Sequence, residues 1–376
     1  MQSIKKYLPV NISVFELIKR LSLSNGISKA RIFLLFIYFL KLILVIPAGC
    51  LQYLFYNRRI KKTVIAKPPV FILGHYRSGT TYLHKLMCAD SRFGFISGYD
   101  IICPNSSLLF GRWLQKCLQF VINTFHIKTH FYNNTISKLN EPAEEERFLI
   151  NKGSAFTDYW RFIFPLCWNK WHSCSQLSKD ESYYKRWKNE YLHLLKMITF
   201  KNQGKQLVLK SPPNTQRIRY LLDMFSDAKF IYISRNPYQV FYSTCNLWKK
   251  AIKKFWLQNI SEKQIEEIVF NEYIQLVEQY QKHKKLIPAN NLIEVPYEDF
   301  EQYPLNVAEE IYMQLNLPDF KIVKAQLMQK LEEEKKYQKF EYIYDEEVFK
   351  KIEKRWLKYI NEWNKTASEN FINDYV

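Results

Sequence analysis

The chain opens on a long apolar run. From Ile32 to Phe55 it reads IFLLFIYFLKLILVIPAGCLQYLF, which as a helix would rise ~36 Å, enough to cross a hydrocarbon core. Three features weaken a simple span. Lys41 would lie near mid-depth, at a cost of roughly 2.5–3.5 kcal/mol. Pro47 and Gly49 would bend the last turns, and basic residues at both ends blur the orientation. The run also starts too late and is too long for a signal peptide. Residues 1–62 therefore read as a membrane-associated segment, either a spanning helix or a helix pair lying in the interface. A buried helix of a soluble domain is the alternative.

After Lys61-Lys62 and the Pro68-Pro69 break, short apolar runs alternate with stretches of helical period. Val70–Leu73, Gln206–Leu209, Lys229–Ile233 and Leu292–Val295 predict strands, and their near-continuous apolar character suits a parallel sheet covered on both faces. Leu83, Leu86 and Met87 predict a helix over Thr80–Ala89. Ser211 is placed to cap a helix with Pro212 in its first turn and Ile218, Leu221, Leu222 and Phe225 on its apolar face. Asn236-Pro237 opens another helix. Strands separated by helices predict an α/β fold, a P-loop-like central parallel sheet flanked by helices. The expected organisation is 1–62 as the N-terminal segment and 63–376 as the main domain. Within the latter, a helical insertion over about 91–200 is rich in Trp, Phe and Tyr. The Glu332–Lys336 charge run reads as a solvated face.

Composition adds exclusions. Hydrophobic residues make up 47% and charged residues 24% of the 376, which rules out wholesale disorder and fibrous repeats. The net charge is +19, and residues 1–62 supply more than half of it, with eleven Lys or Arg against one acid, Glu16. Such clustering beside apolar sequence points to an anionic lipid surface and away from nucleic acid. The seven cysteines are scattered and contain no C-x-x-C pair, so neither a zinc site nor a dense disulfide framework is expected. Reduced, buried thiols are the reading, with Cys167–Cys174 the one bridge a lumenal compartment would permit.

Candidate chemistry begins at Gly74-His75-Tyr76-Arg77-Ser78-Gly79-Thr80-Thr81, which follows one predicted strand and opens one predicted helix. The spacing is that of a phosphate loop, in which backbone N–H groups and a helix N-terminus converge on an anion. The Lys that a nucleoside-triphosphate site carries after its second Gly is replaced by Thr80, and the positive charge moves to Arg77. The third strand ends Ser234-Arg235, with no Asp to hold magnesium. The loop therefore suits an anion less charged than a triphosphate, without a metal. Arg235 at that strand's end, with Ser243 two helical turns on, forms a second anion contact. Two such contacts on one sheet edge imply a ligand with two separated acidic groups.

These segments resemble the sulfotransferase superfamily. Its signature pairs a strand–loop–helix of R/K-S-G-T-T type with a later R-x-P…S segment. The chain is most similar to a group that also carries L-K-S-P-P, here Leu209–Pro213, P-x-E-E-E, here Pro142–Glu146, and Y-E-D, here Tyr297–Asp299. The resemblance covers roughly residues 68–320. It implies transfer of a sulfuryl group from 3′-phosphoadenosine 5′-phosphosulfate (PAPS) to an acceptor hydroxyl, with no metal. It also implies that Arg77, Ser78, Gly79, Thr80 and Thr81 hold the 5′-phosphosulfate, and that Arg235 and Ser243 hold the 3′-phosphate. Arg77 and Lys210 are the candidates for charge on the leaving oxygen. Glu144, Glu145 and His75 are the leading candidates for the acceptor's proton, with Glu146, His126 and His130 behind them. The Tyr297–Asp299 segment reads as architectural, a helix start.

Aromatics such as Phe156, Tyr159, Trp160, Phe162, Phe164, Trp168 and Trp171 suggest an apolar acceptor pocket. With the membrane-directed N-terminus they favour a hydrophobic alcohol, such as a sterol or glycolipid, over a carbohydrate. The expected location is the cytoplasmic face of a membrane, with a lumenal, Golgi-type enzyme as the alternative. A P-loop kinase or nucleotidase, and a non-catalytic membrane-tethered binding protein, are the competing function classes.

Overall fold

Five short strands pair in the order β2-β3-β1-β4-β5, and every pairing is parallel. They are β1 Val70–Leu73, β2 Phe93–Gly94, β3 Gln206–Lys210, β4 Lys229–Ser234 and β5 Leu292–Pro296. The structure is a computed structural model that describes residues 11–124, 138–171, 177–334 and 345–366. All of β1 and β3 is buried, which is why their apolar runs show no period of two. The four predicted strands are present, and β3, β4 and β5 each run one residue further. β2 was not predicted, because two residues carry no pattern.

The register pairs Ile72 with Lys210 and Leu73 with Tyr232, and Ser234 with Pro296. The carboxyl ends of β1, β3, β4 and β5 therefore lie along one edge, with Gly74, Ser211, Arg235 and Tyr297 as the residues that leave it. From β1 the chain runs to the edge strand β2, returns to β3 beside β1, and then crosses to β4 on the other side. Ligands of such sheets bind in the crevice at that reversal. Sheet and edge belong to one compact unit, made of the described residues of Lys67–Gly94, Lys205–Lys249 and Glu262–Val376.

Two local expectations are corrected. The helix after the loop is Thr80–Met87, two residues shorter than predicted. Ser211 makes no side-chain cap; a 3-10 turn, Pro212–Gln216, follows it, and the helix begins only at Ile218. The reason is the second proline. Pro213 has no N–H to offer a capping hydroxyl, and Asn214 gives its N–H to the Ser211 carbonyl. The turn braces the loop: Gly74 N–H donates to Thr215 Oγ1 (2.9 Å), whose hydroxyl donates to the Gly74 carbonyl (3.2 Å).

The other unit takes in the described residues of Met1–Ala66, Phe95–Gly204 and Lys250–Ser261. Its first helices are α1 Asn11–Leu23, α2 Ile32–Leu44 and α3 Ile46–Lys62. Leu17 of α1 and Leu42 of α2 join Trp160, Phe164, Trp171 and Leu257 in one hydrophobic cluster. Arg20 forms a buried pair with Glu16, donates to the Ala155 carbonyl (2.8 Å) and lies over the Trp171 ring. The N-terminal segment and the aromatic insertion are thus packed together, and Trp160, Phe164 and Trp171 serve as core. Lys29–Lys62 is a helical stretch long and apolar enough to cross a membrane. Cys167 is a buried free thiol, while Cys174, His126 and His130 lie outside the described residues.

Candidate active site

The loop after β1 is packed so closely that two of its positions cannot carry a side chain. A Cβ on Gly74 would sit 2.6 Å from the Ile233 carbonyl oxygen, and one on Gly79 would collide with the Tyr297 ring. Both residues have positive φ, as does Arg77 at 70°, a region that side chains other than glycine seldom adopt. Ser78 donates its hydroxyl to the His75 carbonyl (2.8 Å), which ties the turn from inside. The helix Thr80–Met87 starts directly behind it, so its first-turn N–H groups lie at the loop end.

Three cationic side chains converge here. Lys210, buried at the end of β3, donates from Nζ to Thr81 Oγ1 (3.1 Å). Arg77 donates from Nε to Ser243 Oγ (2.8 Å). Arg235 donates from Nη1 to the Arg77 carbonyl (2.9 Å) and from Nε and Nη2 to Gln239 Oε1. Its guanidinium lies 4.2 Å from the centre of the Tyr297 ring. The sequence reading gave Arg77 and Ser243 to different anion contacts, whereas the structure joins them by a hydrogen bond. His75 is buried, with Nδ1 2.8 Å from the Tyr76 carbonyl oxygen and its ring 5.2 Å from Tyr273.

Two supporting residues, Thr215 and Gln239, were not anticipated, and Tyr297 and Glu298, read from the sequence as an architectural helix start, begin the helix Tyr297–Gln302. Tyr297 fills the space that Gly79 leaves and stacks on Arg235, while Glu298 accepts the Asn236 N–H (2.9 Å). Asn236 in turn accepts from Tyr238 N–H and caps the next helix. The sequence signal for Tyr297 and Glu298 was the Y-E-D motif directly after β5; Thr215 and Gln239 carried none.

Burial pushes the Glu298 carboxyl above its ordinary pKa, against the opposing pull of the Asn236 N–H and the Arg235 charge. A raised carboxyl favours the native state while protonated, and that advantage is lost as pH rises above the usual carboxylate value. Glu298→Gln keeps an acceptor for Asn236. Its melting temperature is expected to match the parent in mild acid and to exceed it at neutral pH. A variant less stable at neutral pH would show that attraction to Arg235 outweighs burial.

The acidic cluster lies in the other unit, around the helix Glu145–Lys152. All three carboxylates are buried, so a solvated helix start is excluded, and each needs donors. Glu146 accepts from the Thr157 hydroxyl (2.5 Å) and the Asp158 N–H (2.9 Å), which ties down the next loop. Glu145 accepts from the Tyr191 hydroxyl (3.2 Å). Glu144, at the N-cap position, accepts a short hydrogen bond from the Tyr159 hydroxyl. Glu146 thus serves a loop backbone, whereas Glu144 and Glu145 each accept from a phenol.

A sequence profile described as "Sulfotransferase family" matches residues 68–321. The chain belongs to the sulfotransferase family. It is an enzyme, a transferase. The sulfotransferase is 29% identical over 318 residues to the omega-hydroxy-beta-dihydromenaquinone-9 sulfotransferases Stf3 of Mycobacterium bovis and Mycobacterium tuberculosis, spanning 84% of this chain and 80% of each relative. Its fold is that of the crystal structure of sulfotransferase STF9 from Mycobacterium avium, with a TM-score of 0.71 at 16% identity over 92% of this chain and 89% of the other. Sulfotransferase STF1 from Mycobacterium tuberculosis is also similar, with a TM-score of 0.64 at 16% identity, over 86% and 87% of the two chains.

Proposed function

We propose that this sulfotransferase uses PAPS as donor and a lipid-like alcohol as acceptor, at a membrane surface. The observation that supports the donor assignment is the convergence of Arg77, Lys210 and Arg235 on the loop after β1 and the helix start behind it. When bound, the donor supplies a sulfuryl group on an oxygen bridging to its 5′-phosphate. The loop N–H groups from Ser78 to Thr81, with Gly79 as the close approach and the Thr80 and Thr81 hydroxyls beside it, hold that end. Arg235 and Ser243 hold the 3′-phosphate.

Arg77 and Lys210 balance charge on the leaving oxygen. An arginine keeps its proton throughout, so Lys210 is the group able to donate one as well. Glu144 takes the acceptor's proton while Tyr159 orients it, with Glu145 beside it. His75, with Nδ1 beside the Tyr76 carbonyl oxygen and its ring against Tyr273, supports the loop. No residue is assigned to a metal, and turnover is expected without an added divalent cation. The lipid-like acceptor is supported by the acceptor in the name of the Stf3 relatives and by the exposed apolar face of α2 and α3.

The test supplies radiosulfur-labelled PAPS and a total lipid extract in buffer lacking magnesium. Label is expected in the organic phase as a sulfate ester. Label on glycans alone would replace the acceptor class. Phosphate transfer from magnesium-ATP with no sulfuryl transfer would overturn the donor assignment.

A further inference from the structure

The surface along α2 and α3 exposes more large apolar side chains than a water-facing helix tolerates. Phe33, Phe36, Leu40, Leu44, Leu51 and Phe55 are all exposed, with Phe33 at 73%. Their spacing of three, four, four, seven and four residues makes one stripe along both helices. A monomer of a soluble protein rarely shows a continuous patch of this kind.

The opposite face is occupied. Leu42 is buried in the cluster with Trp160, Phe164 and Trp171, and Leu34, Leu35, Tyr38 and Phe39 pack against it. Tyr38 donates to the Phe255 carbonyl (3.1 Å), and Lys41 donates to Asn151 Oδ1 (3.0 Å). On α3, Gln52 accepts the Leu108 N–H (2.9 Å), and Lys196 donates to the Lys61 carbonyl (3.2 Å). A helix fixed along its length to the rest of its unit cannot cross a bilayer without taking that unit with it. Any bilayer would therefore reach the stripe from the side.

Charge selects the kind of lipid. Exposed Arg58, Arg59, Lys61 and Lys62 close the stripe at one end, and exposed Lys29 precedes it at the other. Near the first end, burial, and after it the charges of Lys152, Lys61 and Lys196, push the His193 imidazole down to about 4. The same ends argue against a second copy of the chain. Any two-fold pairing along the stripe brings basic ends against basic ends.

We propose that the α2–α3 face is a monotopic docking surface for an anionic bilayer, with the stripe in the acyl boundary and the basic cluster at the headgroups. It rests on the lipid-acceptor reading only in that the docked enzyme draws its alcohol from the plane of that membrane; the surface itself stands on its own geometry.

The purified full chain is mixed with preformed vesicles of phosphatidylcholine, with or without phosphatidylglycerol, and floated on a density gradient. Wild type is expected to float, and more completely with phosphatidylglycerol. Phe36→Ser/Leu40→Ser/Leu44→Ser is expected to weaken binding to both vesicles roughly tenfold or more. Arg58→Glu/Arg59→Glu is expected to lose the preference for phosphatidylglycerol, again by roughly tenfold or more. Unchanged melting and unchanged affinity for adenosine 3′,5′-bisphosphate, the donor's product, certify that the variants fold. Wild type that sinks with both vesicles overturns the proposal, as do variants that float like wild type. Concentration-dependent self-association lost in the apolar variant would assign the face to a second copy. Flotation only after co-reconstitution from detergent would assign a spanning helix. Lipid sulfation in detergent with no vesicle binding would sink the docking surface and leave the enzyme reading intact; vesicle binding with no sulfuryl transfer would do the reverse.

Discussion

Glu144→Gln is expected to lower turnover roughly a hundred- to ten-thousandfold while leaving affinity for adenosine 3′,5′-bisphosphate unchanged. The substitution keeps the size of the side chain and an oxygen for the Tyr159 hydroxyl, and removes the charge and with it the capacity to accept a proton. Glu146→Gln provides the contrast. Its carboxylate holds the Thr157 hydroxyl and the Asp158 N–H, so its loss is expected chiefly as a lower melting temperature. Tyr159→Phe should shift the pH–rate profile, because the phenol that stabilises the Glu144 carboxylate is gone. Full turnover in Glu144→Gln would transfer the proton-accepting role to Glu145 or His75.

The second large effect concerns Arg77. Its side chain reaches Ser243 and its carbonyl receives Arg235, so one residue links both halves of the proposed donor site. Arg77→Ala is expected to weaken adenosine 3′,5′-bisphosphate binding by about 2 kcal/mol, roughly thirtyfold, the scale of a charge-assisted hydrogen bond. Because Arg77 stands at positive φ, Arg77→Gly separates charge from backbone strain. It is expected to melt no lower than wild type yet to bind as weakly as Arg77→Ala. Binding restored in the glycine variant would show that Arg77 acts through loop conformation alone.

The parts of this molecule legible in the sequence are those whose signal is local. Val70–Leu73 and the loop after it combine a buried apolar run with glycines that a phosphate loop demands, and both are where the pattern puts them. Gln206–Lys210 and Lys229–Ser234 were legible for the same reason, as short apolar runs ending in polar residues. Tyr297 and Glu298 were legible only as a helix start; their contacts with Arg235 and Asn236 were not, because these depend on β5 pairing with β4. Glu144, Glu145 and Glu146 read as three adjacent acids with equal claims. What separates them is the set of donors, Tyr159, Tyr191, Thr157 and Asp158, brought in from elsewhere in the chain. In α2, both faces are apolar, so periodicity could not tell the side that meets Trp160 and Phe164 from the side left exposed. Aromatics such as Trp171 suffered the same ambiguity, since a core wall and an acceptor wall share one composition. Ser211 misled because a capping residue is only as good as the N–H groups after it, and Pro213 removed one.

The donor assignment is tested most directly by calorimetric titration of the wild-type sulfotransferase with adenosine 3′,5′-bisphosphate in the absence of magnesium, with magnesium-ATP in a parallel cell. One bisphosphate bound per chain, with no heat from magnesium-ATP, is the predicted result. Silence with the bisphosphate alongside saturable binding of magnesium-ATP would contradict it.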